Sequence, residues 1–298
     1  MSHISRREFL AGTVAAGAAA VAGRFGFAAE DRPKITSGTD LVTLGRSGIK
    51  TSVLGIGTGT RGGREQRELG EKGFTKLTRH ALDRGIRYVD TADNYRMHPF
   101  VGAALKGVPR EKYFLQSKTP AKDAATATAD VARFRKELNV DYIDTVLMHC
   151  MQKGTWPTDM RPVMDALSDA KEKGHIRAVG ISNHGLDPLA ASIDVDWIDV
   201  QLVRINPFGT MMDGKPAEVA ALLKKAHATG RGVLGMKIFG ESGYDSREKR
   251  AQALKYVLGL GSVHAFTIGF RTTEQIDETL ELIADALAYR HEMRQLIA

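Results

Sequence analysis

From about residue 42 one pattern repeats along the chain: a short apolar run, then a longer amphipathic segment. The apolar runs are TSVLGIG, IRYVD, YFLQSK, IDTVLMH, IRAVGIS, WIDVQLVRI, GVLGMKI and HAFTIGF. Between most of them, apolar positions recur three and four apart, the period of an amphipathic helix. GFTKLTRHALDRG, TATADVARFRKELN, RPVMDALSDAKEKG, AEVAALLKKAHATG and REKRAQALKYVLGL carry this period. Several of these segments stop at glycine, at Gly85, Gly174 and Gly230, as helix C-termini do. Continuous apolar strands alternating with helices predict a parallel sheet covered on both faces. Eight such units predict an α/β fold, a closed (β/α)8 TIM barrel in a single domain. An open doubly wound sheet is the alternative. It usually carries a GxGxxG turn after its first strand, and LGIGTGTRGG lacks that spacing. The preceding LVTLGRSGIKTS, two short runs about a Gly turn, predicts a hairpin at the barrel floor.

Residues 1–29 break the pattern. Arg6 and Arg7 precede Phe9 and Leu10, and a run of Ala, Gly and Val follows. The run is too short and too weakly apolar to form a stable membrane span. A charged start, a modest apolar middle and small residues at the end describe a signal peptide, and the arginine pair resembles the twin-arginine (Tat) export signal. The organisation expected is a signal peptide over 1–29, a linker over 30–42 and the barrel over 43–298. Delivery to the periplasm through the Tat export machinery follows from it.

Charge and cysteine content narrow the function. The net charge is +7, with no dense basic tract interleaved with aromatics, so no nucleic-acid partner is expected. A single cysteine, Cys150, excludes an internal disulfide and a CxxC metal site, and no metal is expected.

In a barrel of this kind, chemistry gathers at the C-terminal ends of the strands. Three neighbouring strands end there in polar residues: Asp90, Lys118 and His149, with Tyr95 in the loop after the second. Singly, each has an ordinary role as turn residue, solvated cation, core histidine or loop aromatic. Together they form a chemical set. A buried Lys beside a Tyr lowers the phenol pKa, and a paired Asp limits the cost of burying the Lys. A His can orient a carbonyl oxygen, so the group can protonate a carbonyl that receives hydride.

This set resembles the Asp–Tyr–Lys–His tetrad of the aldo-keto reductase family. YVDTADNY is similar to its Y-x-D-T-A-x-x-Y segment. KEKGHIRAVGISNH resembles its K-x-G-K-I-R-x-x-G-V-S-N segment, and FTIGFRTTEQIDET its I-P-G-x-K-S-x-E-Q-x-E-E-N segment. The resemblance implies Tyr95 as general acid, Lys118 and Asp90 as its tuning pair, and His149 as the carbonyl-orienting group. It implies NADP(H) as cofactor and a small carbonyl compound as substrate. Ser182 and Asn183 would hold the nicotinamide carboxamide, and Gly57 and Thr58 would line the cofactor. Arg271 and Thr272 would meet the 2′-phosphate, with Gln275 and Glu278 near the adenosine, and Gly269 would also belong to the cofactor site. A guanidinium can engage phosphate bidentately, which favours NADPH over NADH.

Three stretches depart from the family. GVLGMKIFG has Met236 and Lys237 where a stacking Tyr is common, and a thioether can pack on a ring. In QLVRIN the Gln is displaced by one position, which casts doubt on Gln201 as a ligand and makes Arg204 and Asn206 candidates for the mouth. NYRMHPFVG brings His98 near the tetrad, as substrate contact or packing residue. Cys150 is expected to point away from His149 along the strand. Trp156, Phe208, Met211 and Met212 could form an apolar substrate rim or core beneath the loops. The reading that follows is an exported NADPH-dependent reductase of aldehydes or ketones. A catalytically silent NADP(H)-binding barrel acting as sensor or accessory subunit is the alternative, and an exported sugar-binding protein ranks last.

Overall fold

A computed structural model of the chain describes residues 35–240 and 246–297. Thr36–Ala298 forms one compact unit. The leader expected over 1–29 and the first part of the linker lie outside the described residues. The end of that linker belongs to the fold. Leu54 N donates to Gly38 O at 2.7 Å, and a Cβ on Gly38 would lie 2.9 Å from Ile283 Cδ1. The packed unit therefore begins some residues before the expected boundary at 43.

Strands β1 (Leu41–Thr43) and β2 (Lys50–Ser52) form the antiparallel hairpin. Eight further strands close a parallel barrel: β3 (Leu54–Gly57), β4 (Tyr88–Asp90), β5 (Phe114–Thr119), β6 (Ile143–Met151), β7 (Ile176–Asn183), β8 (Val200–Arg204), β9 (Gly232–Met236) and β10 (Ala265–Ile268), with β10 returning to pair with β3. Each falls on one of the apolar runs. The five periodic segments form the helices Gly70–Asp83, Ala124–Leu138, Arg161–Glu172, Pro216–Ala228 and Arg247–Leu260, and Thr273–Ile297 closes the chain. The (β/α)8 expectation holds. Gly85, Gly174 and Gly230 leave their helices at φ +93°, +73° and +81°, a left-handed turn that glycine enters without a Cβ clash. Asp123 Oδ1 and Ser246 Oγ accept from Thr126 N and Lys249 N and cap the helices they precede.

Side chains alternate along a strand, so one parity fills the barrel. Tyr88, Phe114, Leu147, Ala178, Val200, Leu202, Leu234 and Ala265 form its buried interior. Leu44 and Ile49 of the hairpin join them, and Arg46 N donates to Gly230 O at 2.6 Å just before β9. The hairpin therefore covers the N-terminal end. The same parity carried towards the strand C-termini presents Asp90, Lys118, His149, Ser182, Arg204, Met236 and Thr267 to the opposite mouth. Among the described residues no helix is long and apolar enough to cross a membrane.

Candidate active site

Asp90 and Lys118 meet at the mouth because β4 and β5 are neighbours and both residues keep the inward parity. Lys118 Nζ donates to Asp90 Oδ1 at 2.6 Å and to Thr91 O at 2.8 Å, and the lysine is fully buried. Gln116 Nε2 adds a second donor to Asp90 Oδ1 at 2.8 Å, and its Oε1 accepts from Thr145 at 3.0 Å. Burial pulls the Lys118 pKa down, but Asp90 and Tyr95 outweigh it, and the net shift is upward. The buried ammonium stays charged.

Tyr95 leaves β4 on a 3-10 turn, Asp93–Tyr95, and lies across the same mouth. Lys118 Nζ lies 5.0 Å from the ring centroid, and the His149 ring meets it edge-on at 5.6 Å. A Cβ on Gly59 would lie 2.6 Å from the Tyr95 ring, so a glycine is needed at that position. The expected lowering of the phenol pKa is corrected. Burial raises it by more than Lys118 lowers it, and Asp90 pushes in the same direction as burial. The net shift is upward, so the hydroxyl keeps its proton at neutral pH.

His149 is buried, and its pKa is pushed down to about 3 by burial and by the positive Lys118. A neutral imidazole offers one N–H and one lone pair. Its Nδ1 has no hydrogen-bond partner among the described residues. The folded pKa lies below the unfolded value of about 6.5, so the unfolded chain takes up the proton first and stability falls as pH drops below that value. At pH 5, His149 should cost about 2 kcal/mol relative to pH 7. Urea midpoints at the two pH values, compared with those of His149→Gln, check this; an equal drop in both proteins would refute it.

The structure changes the expectation for Cys150. The pairing of β6 with β7 slips between Met148 and Met151, a β-bulge with one extra residue on β6. Cys150 takes φ +64° there, and its N–H donates to Ser182 Oγ at 2.8 Å. The bulge resets the alternation, so Cys150 is half-buried in the cavity wall beside His149 instead of facing away. Burial raises its thiol pKa.

The cavity at the mouth is about 640 Å³. Its wall includes Gly57, Asp90, Tyr95, His149, Arg204, Met236, Lys237, Gly269, Arg271 and Gln275 from the residues singled out in the sequence. Ser182 and Asn183 end β7 and are fully buried. Both amide atoms of Asn183 lack a partner among the described residues, and Ser182 Oγ still has its own proton to donate. Thr58 is buried, with its hydroxyl unpartnered among the described residues and its N–H on Asp90 O at 3.0 Å. Gln275 Oε1 accepts from Arg271 N and Thr272 N at 2.8 and 3.3 Å, shaping the turn after β10. The Arg271 side chain is half exposed and 3.8 Å from Glu68.

Other candidates have different attachments. Glu278 lies outside the cavity wall and pairs with Arg250 at 2.8 Å and Arg247 at 3.2 Å. Arg204 lines the cavity with its guanidinium committed to Asp213. Gln201 faces the outer layer, where its Nε2 donates to Ser192 Oγ at 2.7 Å. Asn206 ties its loop to Lys237 O at 3.0 Å. His98 is buried between Glu137 and Ser117, away from the cavity wall. Trp156 is core, and Met211 alone of the four apolar loop residues reaches the wall. The sequence reading missed Gln116, Thr267 and His184. The first two share the inward parity of the candidate site residues, which could have revealed them. His184, adjacent to Asn183, has its pKa lowered to about 4 by burial and by Arg204.

The model of the Aldo/keto reductase family matches residues 53–284. An aldo-keto reductase of Mycobacterium sp. (strain MCS) is 30% identical over 182 residues, 58% of this chain and 59% of that protein. The chain spans about half to three-fifths of the length of the curated relatives it matches. The barrel also superposes on an aldo-keto reductase of Bacillus halodurans in its holo form, with TM-score 0.67 and 19% identity over 84% of this chain and 96% of that one. A Bombyx mori aldo-keto reductase in complex with NADP gives TM-score 0.64 and 18% identity over 85% and 92%. These two share the fold. With the family model covering most of the barrel, from its first strand past its last, this chain belongs to the aldo/keto reductase family.

Proposed function

We propose that this protein is an NADP(H)-dependent oxidoreductase that reduces an aldehyde or ketone to the alcohol. The observation that carries the reading is the buried Lys118 ammonium, fixed by Asp90 and facing a protonated Tyr95 beside a neutral His149. The cofactor fits the residues present. The Asn183 amide, unpartnered among the described residues, can pair with a carboxamide through both of its atoms, with the Ser182 hydroxyl beside it. Gly57 and Gly269 keep the floor free of side chains: a Cβ on either would lie within 2.7 Å of Thr267 Oγ1 or 2.0 Å of Thr60 Oγ1. Arg271 supplies a guanidinium for a phosphate at the rim.

Bound NADPH would supply the hydride. The protein's residues do the rest. The His149 N–H and the Tyr95 hydroxyl both approach a carbonyl oxygen from the mouth and hold it in place. As negative charge develops on that oxygen, Tyr95 gives up its proton. Lys118 stabilises the phenolate left behind, and Asp90 keeps Lys118 in position. A panel of aldehydes and ketones assayed with NADPH and NADH tests the reading. Oxidation of NADPH with equimolar alcohol formation is expected. Tight NADPH binding with no turnover of any carbonyl would favour the silent barrel.

The Arg6–Arg7 pair and the Ala-, Gly- and Val-rich run after it support a second proposal, export to the periplasm as a twin-arginine precursor. Replacing Arg6 and Arg7 with Lys should retain the protein in the cytoplasmic fraction; undiminished periplasmic protein would refute export by that route.

A further inference from the structure

Tyr95 stands on a turn too short to fix it. Within Asp93–Tyr95 only two backbone bonds hold the chain, Tyr95 N to Ala92 O at 3.1 Å and Arg96 N to Asp93 O at 3.0 Å. The turn exits through Arg96 at φ +55°. An acid must be held to fractions of an ångström, so its anchors have to come from outside the turn. One is Arg67, whose guanidinium donates to the Tyr95 carbonyl and, at 3.0 Å, to Gly62 O.

The other anchor is a network centred on Arg133, in the helix Ala124–Leu138. Its Nη1 donates to Asp93 Oδ1 at 2.7 Å and to Glu137 Oε1 at 3.2 Å, and its Nη2 to Asp130 Oδ1 at 2.6 Å. Two routes then lead to β5. Asp130 Oδ2 accepts from Thr119 Oγ1 at 2.6 Å. Glu137 Oε2 meets His98 Nδ1 at 2.9 Å, and His98 Nε2 meets Ser117 Oγ at 2.8 Å. The roles follow from the partners. A carboxylate only accepts, so His98 Nδ1 donates to Glu137, and Nε2 of the neutral ring accepts from Ser117. Ser117 and Thr119 flank Lys118 and face outward where Lys118 faces inward.

Asp93, His98 and Glu137 also bring ligand atoms within 4.8 Å of one another, as a cation site would. The Arg133 guanidinium bonds both carboxylates, so their charge is already matched by an arginine.

We propose that Arg133 is a positioning residue that couples the Tyr95 turn to both neighbours of Lys118 and so sets the separation of phenol and ammonium. The inference rests on the reading of Tyr95 and Lys118 as the proton-donating pair. Its test needs no turnover. Protein labelled with 13C at tyrosine Cζ gives seven signals, and the one missing from Tyr95→Phe is Tyr95. In Arg133→Met that signal should shift at pH 8, and its ionisation should begin at higher pH, while the other signals stay in place. Asp93→Asn, a near-isosteric change at the other end of the same bond, should move it in the same direction. Arg133→Lys should restore part of the shift. Where a carbonyl substrate is turned over, kcat should fall about tenfold or more with KM for NADPH unchanged. Arg177→Met, which breaks an ion pair with Asp144, should change neither readout. If Arg133→Met does not fold, Asp93→Asn alone carries the test. An unmoved Tyr95 signal in folded Asp93→Asn, or an equal movement in Arg177→Met, would overturn the proposal. Undiminished turnover by Tyr95→Phe would instead overturn the function on which it rests.

Discussion

Tyr95→Phe should lower kcat by about a hundredfold to ten-thousandfold, the contribution of a positioned general acid. NADPH affinity should stay within a few-fold of wild type. The two effects separate because the variant loses one hydroxyl and keeps the ring. The ring's edge-on contact with His149 and its place over Lys118 are made by carbon atoms that phenylalanine also has. The net upward shift of the phenol pKa adds a second signature. A protonated acid is needed for reduction, so the wild-type rate should fall only at alkaline pH, and Tyr95→Phe should lack that limb. Tyr113→Phe, at a tyrosine stacked on Arg110 away from the cavity wall, is the control and should leave kcat unchanged. Stopped-flow absorbance with saturating NADPH and nucleotide fluorescence titration measure the two quantities. A Tyr95→Phe enzyme as fast as wild type would remove the phenol from the chemistry.

The barrel and half of its site were legible because both depend on alternation. Each apolar run becomes one strand, and parity alone sends Asp90, Lys118 and His149 to one mouth and Gln201 to the outer layer. What was not legible depends on one extra residue or on distant partners. The bulge after Met148 leaves no mark in the local sequence, yet it reverses the direction of Cys150. Nothing in the sequence around Asp93 points to Arg133, forty residues on, which folding places against it. Glu278 carries a family pattern, but Arg247 and Arg250 on a neighbouring helix hold it away from the cavity wall. The direction of the Tyr95 shift is a matter of magnitude. Burial and Lys118 oppose each other, and a sequence reveals the cation without revealing how dry the site is.

Lys118→Met should be the most destabilising single change at the site, as well as inactivating. Among the described residues, removing Nζ leaves Asp90 with Gln116 as its one remaining side-chain donor, and takes the only side-chain donor from Thr91 O. Breaking one side of a buried ion pair costs about 3–5 kcal/mol, because the surviving charge is stranded without water. The apolar replacement has similar volume, so a packing defect contributes little of that loss. The double variant Lys118→Met with Asp90→Asn distinguishes the two roles of the pair. Asparagine is neutral and can still accept from Gln116 Nε2, so the stranded charge disappears and most of the stability should return. Activity should not return, because nothing would then stabilise the phenolate that forms when Tyr95 gives up its proton. Thermal or urea midpoints for the four members of the cycle, with kcat for each, measure both effects. If the double variant recovers activity along with stability, Lys118 acts only as a structural partner of Asp90. If the single variant loses activity at unchanged stability, the burial argument is wrong and only the chemical one stands.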